Sequence, residues 1–455
     1  MPIPYRGSRS KCFLRRRNAQ VAFFAAILIT TLVCSTAIAW SQSAPAVQPS
    51  SPPSLGESIK RANLEKRQLH IFYVHGMAAD GPGASASAGL RKSICKFLRD
   101  CTPPGGVFDG TDYADRKDFA LNTPPPDLKY LGRPLWNSGA GGASEDWNAS
   151  APYVDHYKIV RKSAPTIYFD EINWWPLVFA AKCRQILAAD AALAGPVKTY
   201  IHTCSLPATP DPDAQKNPGR FRSYPFLTDA QRLNALPTKG AKINRYLKTF
   251  VLDWGFADAV MAVGPMRRLF LEGIGELILK SVRVGDDGSR GESVTPATDQ
   301  EFVIVAHSLG SYLMFSALDI PPNPATPPKW RTEFDRVLTN TASAYFLANQ
   351  VRLLELADLD ASKNLNTHLK TWSDLRAAAH KPTPQIVAWS DPSDLLTWSV
   401  PELDPQSATV KNDNVKNAPH WFWLVENPSK AHTTYDQNKR VIGVLLPKNE
   451  REPKQ

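Results

Sequence analysis

The sequence predicts an α/β fold: a mostly parallel central sheet with helices on both faces, carrying large insertions that form a cap or lid. Three observations predict it. Short apolar runs with strand composition, Leu69–Val74, Thr166–Phe169, Phe302–Ala306, Ile386–Trp389 and Trp421–Val425, recur along the chain. Stretches of helical periodicity alternate with them, which is the pattern of a sheet covered on both faces. The segments 102–165 and 195–290 are far longer than ordinary connections and read as insertions beside the sheet.

The N-terminal residues 1–39 stand apart from this fold. Arg6, Arg9, Lys11 and Arg15, Arg16 and Arg17 precede the apolar run Val21–Ala39, which ends in Ala37-Ile38-Ala39. A basic arm, an apolar core and a small-x-small end make a secretory signal peptide. The run of 19 residues is also just long enough to span a bilayer as an uncleaved anchor, and both readings stand. Either one exports the rest of the chain, to the periplasm or beyond, or holds it at the inner membrane. Cys34 lacks the small preceding residue that a lipidation site requires.

Setting this segment aside changes the charge argument. The formal net charge of +10 falls to +4 without its six unopposed basic residues. Basic clusters interleaved with aromatics are absent from the remainder, so nucleic acid is not an expected partner. Four cysteines remain, Cys95, Cys101, Cys183 and Cys204. In an oxidising compartment local closure pairs Cys95 with Cys101 and Cys183 with Cys204, with free buried thiols as the alternative. Their spacing fits no zinc site.

A Pro/Ser-rich linker fills 40–57, and the folded domain is expected over 58–450. Leu69–Val74 opens the sheet and breaks at His75-Gly76-Met77. Helices are expected at Leu90–Leu98, about 177–193, 241–252 and 256–282, after Ala306, and from about His432 to Leu446.

The stretch Phe302–Ala306, His307-Ser308-Leu309-Gly310 and its following helix raises the chemical question. A tight turn from a buried strand into a helix lifts the serine hydroxyl above the sheet and needs small neighbours. Gly310 supplies one and Ala306 stands where a glycine is commoner, giving a variant nucleophile elbow. Ser87, in Ser85-Ala86-Ser87-Ala88-Gly89, fits the same small-x-Ser-x-Gly pattern, yet no buried strand leads into it.

A serine hydroxyl needs a base, and the base needs an orienting acid, in the chain order serine, acid, histidine on such a sheet. His432 follows the last strand candidate, whereas His420 precedes it and so lies at the wrong end. Asp394, a few residues past Ile386–Trp389, is the expected acid. Asp391, pinned against Pro392, is the alternative and suits turn capping. An oxyanion needs two backbone N–H donors, which the positions of Leu309 and Met77 offer. Gly76 lets the loop turn closely. His75 either holds that loop or is an ordinary strand-end histidine, and His307 either supports the elbow or packs beside it.

The elbow AHSLG, the oxyanion stretch YVHGM, the acid loop SDPSDLL and the late KAHTTY together resemble the α/β-hydrolase superfamily over the sheet-forming half of the chain. The resemblance implies a serine hydrolase working through an acyl-enzyme on carboxylic esters, with the triad Ser308, Asp394 and His432. The same triad would serve an acyltransferase, and a non-catalytic envelope scaffold is the reading from another class. Trp136, Trp147, Trp174, Trp175 and Trp254 fall between the first strand and the serine. They line an apolar acyl pocket for lipid-like or aromatic esters or pack a cap core, with Asn173 and Trp174 the candidates to face the pocket. A dehalogenase wants aspartate at 308. No phosphate loop or dinucleotide fingerprint occurs, and no metal or organic cofactor is implied.

Overall fold

The computed structural model describes residues 54–77, 86–99, 101, 103–114, 129–130, 133–134, 152–161, 164–182, 256–264, 266–282, 300–318, 328–357, 365–400, 408–417, 420–421, 425–426 and 428–450. The export segment 1–39, Cys183, Cys204, Trp136, Trp147, Trp254 and the helix expected at 241–252 lie outside the described residues. All described residues belong to the unit Pro52–Gln455.

The strands in chain order are β1 Gln68–Val74, β2 Val107–Tyr113, β3 Lys129–Tyr130, β4 Arg133–Pro134, β5 Tyr153–Ile159, β6 Ile167–Asn173, β7 Gln300–His307, β8 Thr341–Leu347, β9 Gln385–Ser390, β10 Thr409–Asn414, β11 His420–Trp421 and β12 Val425–Glu426. Eight of them form one sheet in the order β10-β9-β8-β7-β1-β6-β5-β2. From β10 to β6 every neighbouring pair is parallel; β5 and β2 join antiparallel at one flank. The fold is therefore α/β with a mostly parallel sheet.

The helices are α1 Leu55–Leu64, α2 Ala88–Leu98, α3 Trp175–Lys182, α4 Ala257–Val263, α5 Arg267–Val282, α6 Leu309–Ala317, α7 Pro328–Asn340, α8 Val351–Leu354, α9 Leu365–Ala378, α10 Pro428–Thr433 and α11 Lys439–Leu445. They cover both faces. Alternate residues of a strand point to opposite sides, so Phe72, Val74, Phe302 and Ile304 pack under α5, α6, α7 and α9. Leu69, Ile71, Val303 and Val305 pack under α1, α2 and α11. Strands buried on both faces read as apolar runs, which is why β1 and β7 are visible in the sequence. Among the described residues no helix is long and apolar enough to cross a membrane.

Several boundaries differ from expectation, each for a local reason. Order begins ahead of Ser58: the Ser54 hydroxyl accepts the Glu57 N–H at 2.9 Å, capping α1. The segment 102–165 is not wholly an insertion, because β2 and β5 extend the sheet. Nor is 195–290 wholly a cap. Leu269, Phe270, Ile274 and Leu277 of α5 lie in the same core cluster as Phe72 and Ile172. Trp421–Val425 is not a sheet strand; β11 and β12 form a separate two-stranded ladder. The last sheet strand is β10, a polar edge whose residues are half-buried or exposed. The final helix is broken into α10, a short turn Tyr435–Gln437 and α11. Cys95 and Cys101 are joined in a disulfide.

Candidate active site

The strand order creates the site. After β1 the chain builds toward β2, β5 and β6; after β7 it builds the opposite way, toward β8, β9 and β10. The two strands lie side by side at this switch point, where the carboxyl ends of parallel strands leave a crevice. The loop after β1 and the turn after β7 meet there.

Ser308 occupies that turn at φ 54° and ψ −126°, a conformation costing a non-glycine residue about 1–3 kcal/mol. Its N–H donates to the Leu347 carbonyl at 2.8 Å, tying the turn to β8. The small neighbours are required sterically. A Cβ on Gly310 would collide with the carbonyl oxygens of Val74 and His75, which are backbone and cannot yield. A Cβ on Gly76 would stand 2.6 Å from the Ser308 Cβ and 2.9 Å from His307 Nδ1. Ala306 is fully buried, in register with Val74 on one side and Phe346 on the other.

His432 sits on α10, a helix of 6 residues that starts at Pro428. Its Nε2 lies 2.7 Å from the Ser308 hydroxyl oxygen, and its Nδ1 lies 2.8 Å from Asp394 Oδ2. Ser308 and Asp394 are buried and the His432 side chain is 13 % exposed. The three side chains named from the sequence therefore meet in one hydrogen-bonded line.

Asp394, not Asp391, is the carboxylate that meets His432. One of its oxygens accepts the Ser393 N–H at 2.9 Å and the other the Asn417 N–H at 2.6 Å, so it caps its own loop. Asp394 is held by the same turn: its N–H donates to the Asp391 carbonyl, and its Oδ1 accepts the Leu396 N–H at 3.0 Å. His420 lies on β11, outside the sheet. Ser87 is buried and donates its hydroxyl to Glu171.

Leu309 opens α6, and the first N–H groups of a helix have no intrahelical acceptor. Met77 follows Gly76 and is partly buried against the sheet core. His75 braces this loop. Its carbonyl accepts the Trp174 indole N–H at 2.8 Å, its ring stacks on Trp174 at 4.9 Å, and its Nδ1–H donates to the Gly76 carbonyl at 2.6 Å. Burial pushes its pKa down to about 4, so the ring is neutral near pH 7. Trp174 and Asn173 accordingly face inward rather than a pocket. Trp174 is fully buried edge-on to Phe270, and Asn173 donates to the Glu171 carbonyl at 2.9 Å. Trp175 packs edge-on to Tyr153.

One member of the site has no counterpart in the sequence reading. Tyr435, a helical turn beyond His432, is fully buried, and its hydroxyl accepts the Asp391 N–H at 2.6 Å. It lies 3.3 Å from Asp394 Oδ2, toward which it donates. Burial, and then the Asp394 charge, raise its pKa, so the proton stays on the phenol. The tyrosine spaced one turn from the base was the available signal. Among the described residues no group of three or more His, Cys, Asp or Glu is arranged to hold a metal ion.

Compared with known proteins, the sequence matches no family model, no curated protein and no solved structure.

Proposed function

We propose that this chain is a serine hydrolase of the α/β-hydrolase type that cleaves carboxylic esters, lipid-like or aromatic, through an acyl-enzyme. The observation that carries the proposal is the line Ser308–His432–Asp394 at 2.7 Å and 2.8 Å, set on a strained turn at the switch point of a parallel sheet. A serine used only as a turn residue needs neither the positive φ nor a histidine backed by a carboxylate. The ester class rests on the resemblance of the elbow, oxyanion, acid and base stretches. The export reading of residues 1–39 puts the activity in the periplasm, outside the cell, or tethered to the inner membrane.

The chemistry follows from the geometry. His432 Nε2 takes the hydroxyl proton as Ser308 Oγ attacks the ester carbonyl. Asp394 holds the Nδ1–H tautomer and stabilises the imidazolium that forms. The oxyanion gathers the N–H groups of Leu309 and Met77; one such donor is worth about 10²–10³ in rate. His432 then returns the proton to the leaving alcohol, and water repeats the sequence on the acyl-enzyme. No step calls on a cofactor.

Fluorophosphonate labelling of the purified chain tests this. Labelling is expected in the wild type and in Ser87→Ala, and is lost in Ser308→Ala and His432→Ala. Equal labelling of Ser308→Ala and the wild type would sink the assignment. Product analysis with an added alcohol then separates hydrolysis from acyl transfer.

A further inference from the structure

We infer that His307 is a positioning residue for the base: its Nε2–H fixes the main chain of His432 beside the serine. The inference rests on the hydrolase reading above and adds a component to it. His307 Nε2 lies 3.0 Å from the His432 carbonyl oxygen. A carbonyl only accepts, so the proton is on Nε2 and the ring is the Nε2–H tautomer. The bond spans 125 positions in the chain and joins β7 directly to α10.

The need for such a tie is visible locally. Single short helices have little stability of their own, and the base rides on one of 6 residues. Its Nδ1 and Nε2 are committed to Asp394 and Ser308, contacts that loosen and re-form in each proton transfer. The main-chain bond from His307 stays unchanged while the protons move. Asn417 adds a second anchor one residue earlier, its amide donating to the Ala431 carbonyl at 2.8 Å. His307 also reaches the third part of the site, since its Nδ1 lies where a side chain on Gly76 would fall. Nucleophile turn, oxyanion loop and base therefore converge on one imidazole.

The ring suits this place because it stays uncharged. Burial first, and then the neighbouring His432 charge, push its pKa down to about 3. The two imidazole centroids are 5.6 Å apart. A second cation there would oppose the positive charge His432 acquires during acylation. A lysine or arginine could donate the same hydrogen bond only by adding that charge.

The test is a comparison of three substitutions in the full chain, read by fluorophosphonate labelling rate, kcat and KM on a 4-nitrophenyl ester, and thermal midpoint. Glutamine carries an N–H donor at about the reach of the histidine Nε2; asparagine falls short of it; phenylalanine keeps the ring and loses the donor. Misplacing a catalytic group can cost about 10²-fold. His307→Phe and His307→Asn are therefore expected to lose about 10- to 100-fold in kcat and labelling rate with KM nearly unchanged, while His307→Gln retains most of the rate. A residue that merely fills space would give the opposite order, with phenylalanine best tolerated, and that order would overturn the inference. A wild type that never labels would instead remove the hydrolase reading, and this inference with it, before any variant is made.

Discussion

Among the described residues, two histidines hold an aspartate oxygen within 2.8 Å of Nδ1, and only one of them faces a hydroxyl on its other side. In the parallel half, His432 Nδ1 lies 2.8 Å from Asp394. In the antiparallel flank, His156 of β5 lies 2.6 Å from Asp170 of β6, also through Nδ1. The difference is on the far nitrogen. His432 Nε2 faces a hydroxyl, which has a proton to give. His156 Nε2 faces Asp112 at 3.0 Å, and an ionised carboxylate only accepts. Both ring nitrogens of His156 therefore face carboxylates, and neither faces a hydroxyl. The second pair is further closed by His70, whose Nδ1 lies 3.2 Å from the other Asp170 oxygen. A histidine beside an aspartate is thus no sign of catalysis; what decides is the group beyond the histidine and whether it stands at the carboxyl end of the sheet.

The largest expected effect is the response to removing each carboxylate charge. Asp394→Asn should lower kcat by about 10³- to 10⁴-fold, because the amide favours the wrong histidine tautomer, with little change in unfolding midpoint. Asp170→Asn should leave kcat within about twofold and lower stability by about 3–5 kcal/mol in urea unfolding, since it leaves buried partners uncompensated. If Asp170→Asn instead abolished turnover in a folded protein, the contrast between the pairs would be lost.

A second experiment sets paired histidines against unpaired ones. His75 and His307 have no carboxylate partner, and burial lowers them to about 4 and about 3. In the unfolded chain both return to about 6.5, so between pH 6.5 and those values the unfolded state binds more protons. Their contribution is complete above about pH 6.5 and is lost as pH falls through that window. For His75 the loss is on the order of 3 kcal/mol. Urea midpoints measured from pH 7 to pH 4 should fall, and His75→Phe should flatten the curve; a curve equally steep in the variant would remove His75 from the account.

The smallest effect concerns Tyr435, which sharpens the first pair rather than creating it. Tyr435→Phe removes a long hydrogen bond to Asp394 and the acceptor for the Asp391 N–H. A loss of about 1 kcal/mol, or roughly fivefold in kcat, is expected. A loss as large as that of Asp394→Asn would mean that the tyrosine is a full partner in proton transfer.

The hydrogen-bonded line Ser308–His432–Asp394 was legible in the sequence because the order of its residue types is tightly constrained. Ser308 follows a doubly buried strand, and the order serine, acid, histidine leaves few candidates. His432 meets Ser308, yet the sequence argument for it takes Trp421–Val425 as the last sheet strand, whereas that strand is β10. Its sequence, TVKNDN, carries little apolar signal because an edge strand keeps much of its surface in water. The central strand β8, TASAYFL, went unread because its first residues are small and polar and it directly follows α7. The flank strands β2 and β5 were hidden in a segment of Gly, Pro and Asp. Helix α5 looked like part of a cap because a buried helix in an insertion and one on the sheet have the same periodicity. Tyr435 and His307 act by hydrogen bonds between distant segments, which local pattern does not encode.

The pairing of β1 with β7 has a consequence in time. Gln68 lies opposite Gln300, and the base lies 124 positions beyond the serine. Contacts so remote in sequence form late in folding. During synthesis Ser308 leaves the ribosome long before His432 exists, so a chain stopped short of His432 lacks the imidazole that meets that hydroxyl. On the proposed function, the activity is withheld from the cell that makes the chain until residue 432 is in place.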